Sequence, residues 1–310
     1  MEIVNFRKNF SPQNPVIVTI GNFDGVHLGH QSIIRKVVEE AKQRQCFSVL
    51  ITFDPHPQEI IHPQETVKKI CTPELRIRLL EKTGLDSVHI IRFTPELSQL
   101  SPDDFILHFL IERFNLVKVV IGYDFHFGKN RMGDSGLLKR YSEQYNFDLE
   151  KITAIEIGDN TVSSTFIRQL IEDNCFEQIP KYLGRLYSIR ATVQKGEQRG
   201  RTLGFPTANL RPEIKIPLTN GVYVTEVAVN EQKYHGVTNV GIRPTFGHQE
   251  QTIETYIFDF SDDIYGTTLE IWPLKQLRKE KKFSGMDALQ QQIEVDVENA
   301  KSYLQSRPSP

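Results

Sequence analysis

The chain has 310 residues, 39% of them hydrophobic, and a formal net charge of −2 at pH 7. At about 150 residues per domain, that is room for two packed cores. The near-neutral balance excludes the broad basic field of a nucleic-acid or anionic-membrane binder, so anionic substrates have to be met by local sites. Cys46, Cys71 and Cys175 are widely spaced and form no C-x-x-C pair, so neither a disulfide framework nor a zinc knuckle is expected, and each reads as a small buried hydrophobe.

The first residues, MEIVNFRKNF, carry scattered charge and lack the apolar stretch of a secretion signal. No apolar run approaches the roughly 18 residues of a membrane span, so a cytoplasmic protein is expected. Short, nearly continuous apolar runs at Val16 to Ile20, Phe47 to Phe53, Val88 to Phe93, Val117 to Ile121 and Ile152 to Ile157 read as buried strands. Helical stretches separate them. In the first, Ile33, Ile34, Val37, Val38 and Ala41 share one face, with Arg35, Lys36, Glu39, Glu40 and Lys42 mostly opposite. Thr72 and Pro73 cap LRIRLLEK, which Gly84 stops; Ser101, Pro102 and Asp104 cap FILHFLIERF. Strand and helix in alternation imply a parallel, doubly wound sheet.

From Tyr187 the grammar changes. YSIRATV, GVYVTEVAV, KYHGVTNVG, TIETYIFDF and TTLEIWPL follow one another with turns between them, the short break NEQ being of hairpin size. Several such runs imply a small antiparallel β-barrel, since closure removes exposed edges. A terminal helix follows, with Ser284 and Asp287 as a cap pair and Leu289, Ile293, Val297, Ala300 and Leu304 along the side that packs on the barrel.

Two stretches are too rich in special residues to be plain connections. IGNFDGVHLGH, residues 20 to 30, follows the first strand and opens the first helix, the place where ligands bind in parallel sheets. Gly21, Gly25 and Gly29 permit tight turning, the helix start offers N–H groups to an anion, and His27 and His30 are spaced to face the same side. Phosphate binding is the natural reading; a turn with one capping and one core histidine, or a metal pair, fits the same spacing. TFDPHP (52 to 57), GYDFHFG (122 to 128) and SSTFIR (163 to 168) follow later strands and bring polar and aromatic groups to the same sheet edge. In the second half, KGEQRGRTLGFPTANL combines Gly196, Gly200 and Gly204 with Lys195, Arg199 and Arg201, which suits polyphosphate but also a solvated hairpin loop. Thr207 and Asn209 offer hard oxygen ligands of the kind magnesium accepts.

With these motifs the chain resembles the bacterial bifunctional riboflavin kinase/FAD synthetases. The N-terminal half carries the family's H-x-G-H as His27, Leu28, Gly29 and His30, with TFDPHP, G-x-D-F-x-F-G and S-S-T-x-I-R. The C-terminal half carries its G-F-P-T-A-N, followed in order by GVY, GVTNVGIRPTF, IETYIFDF and LRKEKKF. The resemblance implies a Rossmann-like nucleotidyltransferase domain over 1–183 and a riboflavin kinase barrel over 184–310. ATP, riboflavin and FMN are the implied partners, Mg²⁺ accompanies ATP, FAD is the final product, and a monomer or weak homo-oligomer with no nucleic-acid or membrane partner is expected. It further implies that His27 and His30 hold the reacting ATP phosphates and that Gly21, Phe23, Asp24, Gly25 and Gly29 shape the nucleotide pocket. Ser164, Thr165 and Arg168 close on the phosphates, and Asp124, Phe125 and Phe127 lie in the motif beside the flavin. In the barrel, Gly196, Arg201, Gly204 and Pro206 bind ATP, Thr207 and Asn209 hold the metal, Glu254 is the general base, and Arg278 and Phe283 cover the flavin. Phe166 departs from the pattern, since many relatives carry a second basic residue there. A class I aminoacyl-tRNA synthetase also carries H-x-G-H, but would need a lysine-rich second signature; a non-catalytic flavin-binding regulator would be marked by loss of Glu254, Thr207, Asn209 or the histidines, all of which are present.

Overall fold

The structure, a computed structural model, describes residues 1–5, 14–65, 67–196, 200, 203–245 and 248–307. They pack as two compact units: Met1–Val67 with Pro73–Ser164, and Lys68–Thr72 with Thr165–Pro310.

In the first unit, the strands expected from their apolar runs are β2 (Pro15–Ile20), β3 (Phe47–Asp54), β4 (Ser87–Arg92) and β5 (Asn115–Ile121). Because they are apolar on both faces, the sheet needs cover on both. Ile17, Leu50, Val88 and Val120 pack on one side against α1 (Leu28–Arg44) and α3 (Pro73–Glu81). Val18, Val49, Ile51 and Val119 pack on the other against α5 (Pro102–Ile106) and α6 (Ser135–Tyr145). With β1 (Glu2–Asn5) and β6 (Asp148–Lys151) the sheet runs β1-β4-β3-β2-β5-β6, all parallel. The order reverses around β2, so the crevice a ligand would use opens beyond its carboxyl end.

Three local expectations are corrected. The sheet's last strand is Asp148–Lys151 rather than Ile152–Ile157: it is an edge, where charged residues are tolerated, and the ladder ends as Ile152 N donates to Ile121 O. The following Glu156–Ile157 pairs instead with Asn160–Thr161. The helix capped by Ser101 is α-helical only to Ile106 and widens to a π turn over Leu107–Ile111. Glu40 is not on a solvated face. It is buried beside Lys118, whose Nζ donates to both its oxygens at 2.7 Å. Burial pushes the Glu40 carboxyl up, but hydrogen bonds from Lys118 and Lys36 overcome this and hold it at about 2.

The second unit is built on a closed antiparallel barrel in the order β10-β13-β12-β11-β14-β9. Its strands are β9 (Ile189–Gln194), β10 (Thr207–Leu210), β11 (Gly221–Val229), β12 (Gln232–Thr245), β13 (His248–Ile257) and β14 (Thr268–Lys279). The β11–β12 turn is Asn230–Glu231, both at positive φ (49° and 71°), which matches the twist of a two-residue hairpin. The hydroxyls of Thr225, Thr238 and Thr255 form a buried chain at 2.9 and 3.0 Å, so polar side chains inside the barrel satisfy one another. The C-terminal helix, Met286–Ser306, lays Ile293, Val297, Ala300 and Leu304 on Val222, Val224, Val237 and Leu274. Its expected cap pair is not formed, because extended Gly285 occupies the N-cap and makes no side-chain bond. The short segment Lys68–Thr72 also belongs here: Lys69 N donates to Lys215 O at 2.9 Å and Lys68 Nζ to Glu172 at 2.5 Å. Cys71 is buried as expected, whereas Cys46 and Cys175 are half-buried at turns, each thiol donating to the carbonyl two residues before it.

One buried group ties the stability of the first unit to pH. His89 on β4 is 0% exposed, and burial pushes its pKa down to about 4. The unfolded chain takes up this proton near pH 6.5 and the folded one does not, so the contribution is complete above about 6.5 and lost as pH falls towards 4. At pH 5 the loss is about 2 kcal/mol. Urea unfolding followed by far-UV circular dichroism at pH 7.5 and 5 should show it, and His89→Gln should lose less; equal losses in both proteins would rule the assignment out.

Candidate active sites

The first site grows out of the turn after β2. Phe23, at φ 50°, and Gly25, at φ 77°, reverse the chain, and Val26 follows at φ 43°. A β-branched residue in that region costs on the order of 1–3 kcal/mol, so the surrounding packing has to impose it. Phe23, Asp24, Val26 and His27 are all buried. His27 then serves as the N-cap of α1, its Nδ1 accepting from His30 N at 3.3 Å. The bond requires Nδ1 to be unprotonated and leaves Nε2 as the donor of a neutral ring. The His27 and His30 rings stack, centroids 3.6 Å apart and planes 18° off parallel, with Phe23 against His30 at 5.0 Å. A Cβ on Gly29 would lie 3.1 Å from the His27 ring, so the glycine between the histidines leaves that ring uncrowded. Gly21 lies against the Phe23 ring in the same way. The start of α1 adds its dipole and its unpaired N–H groups to the same place, which favours an anion there.

The companion motifs meet this turn unequally. Ser164 Oγ donates to Asp24 O at 3.1 Å, tying the head of α7 (Ser164–Glu172) to the turn. Thr165 and Arg168 belong to the second unit, Thr165 exposed and Arg168 half-buried. Phe166 meets Tyr182 edge-on at 5.0 Å, so its departure from a basic residue fills an aromatic contact. In GYDFHFG, Asp124 is exposed and Phe125 half-buried, while Phe127 is a core residue packed on Phe105 and Phe125. His56 of TFDPHP is chiefly a cap: it accepts from Gln58 N and donates its own N–H to Glu59 at the head of α2 (Pro57–Ile61).

The second site is a cavity of about 580 Å³ between the barrel wall, the segment after β14 and the C-terminal helix. Strand register places Asn209, Glu254 and Asn239 side by side on β10, β13 and β12, all lining it. Thr207, opposite Tyr256, lies one pleat away. A Cβ on Gly196 would fall 2.3 Å from the Asn209 side chain, so Gly196 lies directly against that amide. Among the described residues no group of three or more acidic, histidine or cysteine side chains could hold a metal. A hydroxyl, an amide oxygen and one carboxylate instead suit a hard cation that keeps most of its shell from phosphate and water, as Mg²⁺ does. Gly204, at φ 84°, and Pro206 are exposed and off the cavity wall, and Arg201 lies outside the described residues. Arg278 and Phe283 both line the cavity, 5.6 Å apart.

Sequence comparison agrees with both halves. The FAD synthetase family matches residues 9–166 and the riboflavin kinase family residues 183–304. The chain is 36% identical to the bifunctional riboflavin kinase/FMN adenylyltransferase of Buchnera aphidicola subsp. Schizaphis graminum over 93% of both chains. It is 32% identical to the protein of that name from Escherichia coli K12 over 98% of both. The chain belongs to the bifunctional riboflavin kinase/FAD synthetase family. A crystal structure described as a macrolide-efflux protein from Streptococcus pneumoniae has the same fold, with a TM-score of 0.82, 31% identity and 97% and 99% of the two chains covered. No helix among the described residues of the present family member is long and apolar enough to cross a membrane.

Two cavity residues escaped the sequence reading. Asn239 stood within GVTNVGIRPTF, and only register puts it beside Glu254. Asp296 is buried on the C-terminal helix and grips Arg278: Nε donates to both carboxylate oxygens at 3.0 Å and Nη2 to Oδ2 at 2.8 Å. Its signal was an acidic residue on the apolar stripe, three after Ile293 and one before Val297. Asp296→Ala leaves the Arg278 charge uncompensated and should destabilise the barrel by about 3–5 kcal/mol. Trp272, the single tryptophan, lies in β14 and reports this by fluorescence during denaturant unfolding; a change below about 1 kcal/mol would show that the pair is not structural.

Proposed function

We infer that this chain phosphorylates riboflavin with ATP to give FMN, and then joins FMN to the adenylyl group of a second ATP to give FAD and pyrophosphate. The kinase reaction is assigned to 184–310 and adenylyl transfer to 1–183. The observation that carries this reading is the pair of unlike sites in one chain. One is a stacked histidine pair at a helix start, and the other an Asn209–Glu254–Asn239 row at a barrel cavity.

In the adenylyl-transfer site, the FMN phosphate attacks the α-phosphorus of ATP and pyrophosphate leaves, with no covalent enzyme intermediate, so the protein positions the reactants and stabilises charge. His27 Nε2 and His30, with the first turn of α1, are the donors that meet the developing negative charge. Asp24 shapes the nucleotide pocket through the buried turn that Ser164 braces, and Thr165 and Arg168 add contacts to the phosphates. Asp124 and Phe125 lie beside the flavin. In the barrel, Glu254 takes the proton from the ribityl hydroxyl as its oxygen attacks the γ-phosphorus. Thr207 and Asn209 would hold Mg²⁺, which neutralises phosphate charge when bound with ATP. Arg278, held by Asp296, and Phe283 cover the flavin ring. The enzyme works in the cytoplasm as a monomer or weak homo-oligomer.

Product analysis after incubation with riboflavin, ATP and Mg²⁺ tests the whole reading: FMN followed by FAD is expected, and unchanged flavin overturns it. His30→Ala should lower FAD formation by roughly 10²- to 10³-fold while riboflavin phosphorylation survives. A folded variant that loses both equally would count against independent sites. Glu254→Gln should cost kinase turnover about 10²- to 10⁴-fold; undiminished FMN production at saturating riboflavin would remove it as the base.

A further inference from the structure

Arg76, on α3, is only 7% exposed, and its guanidinium reaches the carboxyl ends of two adjacent strands. Nη1 donates to Asn22 O at 3.0 Å and Nη2 to Phe53 O at 3.3 Å. Asn22 O also accepts from Thr52 Oγ1 at 3.2 Å, so this one carbonyl fastens the start of IGNFDGVHLGH to the end of β3. Among the described residues no carboxylate pairs with Arg76, and its buried Nε has no hydrogen-bond partner. Two carbonyls need only neutral donors, and a buried guanidinium without a counter-charge is costly to keep. Its position accounts for the charge. Asn22 immediately precedes the left-handed turn at Phe23 and Gly25 that delivers His27 and His30, and α3 packs against that turn.

We propose that Arg76 is a positioning residue for adenylyl transfer: its buried guanidinium fixes the Gly21–Val26 turn to the end of β3 and supplies, at the carboxyl ends of β2 and β3, positive charge that polyphosphate completes. The proposal rests on the reading of His27 and His30 as phosphate ligands. It acts through the Asn22 carbonyl and the field of the guanidinium, with no contact to substrate required.

The test is FAD pyrophosphorolysis, the reverse reaction, which uses FAD and inorganic pyrophosphate and bypasses the kinase site. Wild type must make ATP and FMN from them; if it does not, the functional reading fails before Arg76 is at issue. Arg76→Gln keeps a neutral donor and removes the charge. It should raise the KM for pyrophosphate and lower kcat together, by about 10- to 10²-fold each, with riboflavin phosphorylation unchanged. Arg76→Lys restores the charge and should recover the pyrophosphate KM to within about threefold of wild type while kcat stays reduced. The proposal is overturned if Arg76→Gln leaves the pyrophosphate KM unaltered. It is equally overturned if Arg76→Lys is as impaired in that KM as Arg76→Gln, since a purely structural role would not distinguish them by charge.

Discussion

The bond from His30 N to His27 Nδ1 is at once a helix cap and a piece of the candidate site's geometry, and much of the first unit is arranged around it. Capping α1 with an imidazole rather than a serine or aspartate commits one ring nitrogen to the backbone and leaves the other as the ring's N–H donor. The second ring stacks on the first, and Gly29 puts no side chain against the His27 ring. Behind both, the strained Val26 and buried Phe23 set the direction in which α1 leaves the sheet. A single local contact therefore decides where the helix dipole points and which hydrogen-bond donors lie in front of it.

The barrel reaches precision by another route. Adjacent strands in register repeat the same side every second residue, so Asn209, Glu254 and Asn239 form a row without a loop to position them. Their neighbour Thr255 points the other way, into the chain of buried hydroxyls that closes on Thr225. The cavity-lining row and the hydroxyl chain thus alternate along one strand. A one-residue slip would exchange them, and the hydroxyl chain would then face the cavity, leaving Glu254 inside the barrel.

What the sequence made legible follows from these two mechanisms. Apolar runs and turn chemistry identified the four inner strands, the hairpin at Asn230–Glu231 and the cap at Ser101, because each is decided within a few residues. The histidine spacing announced a shared face for the same reason. The edge strand Asp148–Lys151 was hidden, since its charged residues carry no core signal and its place depends on β5. The strand Thr207–Leu210 lay inside what read as a glycine-rich loop, four residues recruited by pairing with β9 and β13. Asn239 and Arg76 gave no sequence signal because their placement depends on partners far along the chain, and Asp296 gave only an acidic residue on an apolar stripe, without its partner Arg278. Glu40 shows the same limit: helical periodicity placed it outside, and Lys118 drew it in.

The segment Lys68–Thr72 carries a consequence for how such a chain can be inherited. It is flanked on both sides by residues of the first unit, yet Ile70 and Cys71 are buried and Lys69 is bonded in the second. The two units are consequently not cassettes joined at one seam. A recombination that cut the gene once, between the families' matched ranges, would leave these five residues of the second unit's packing on the other piece.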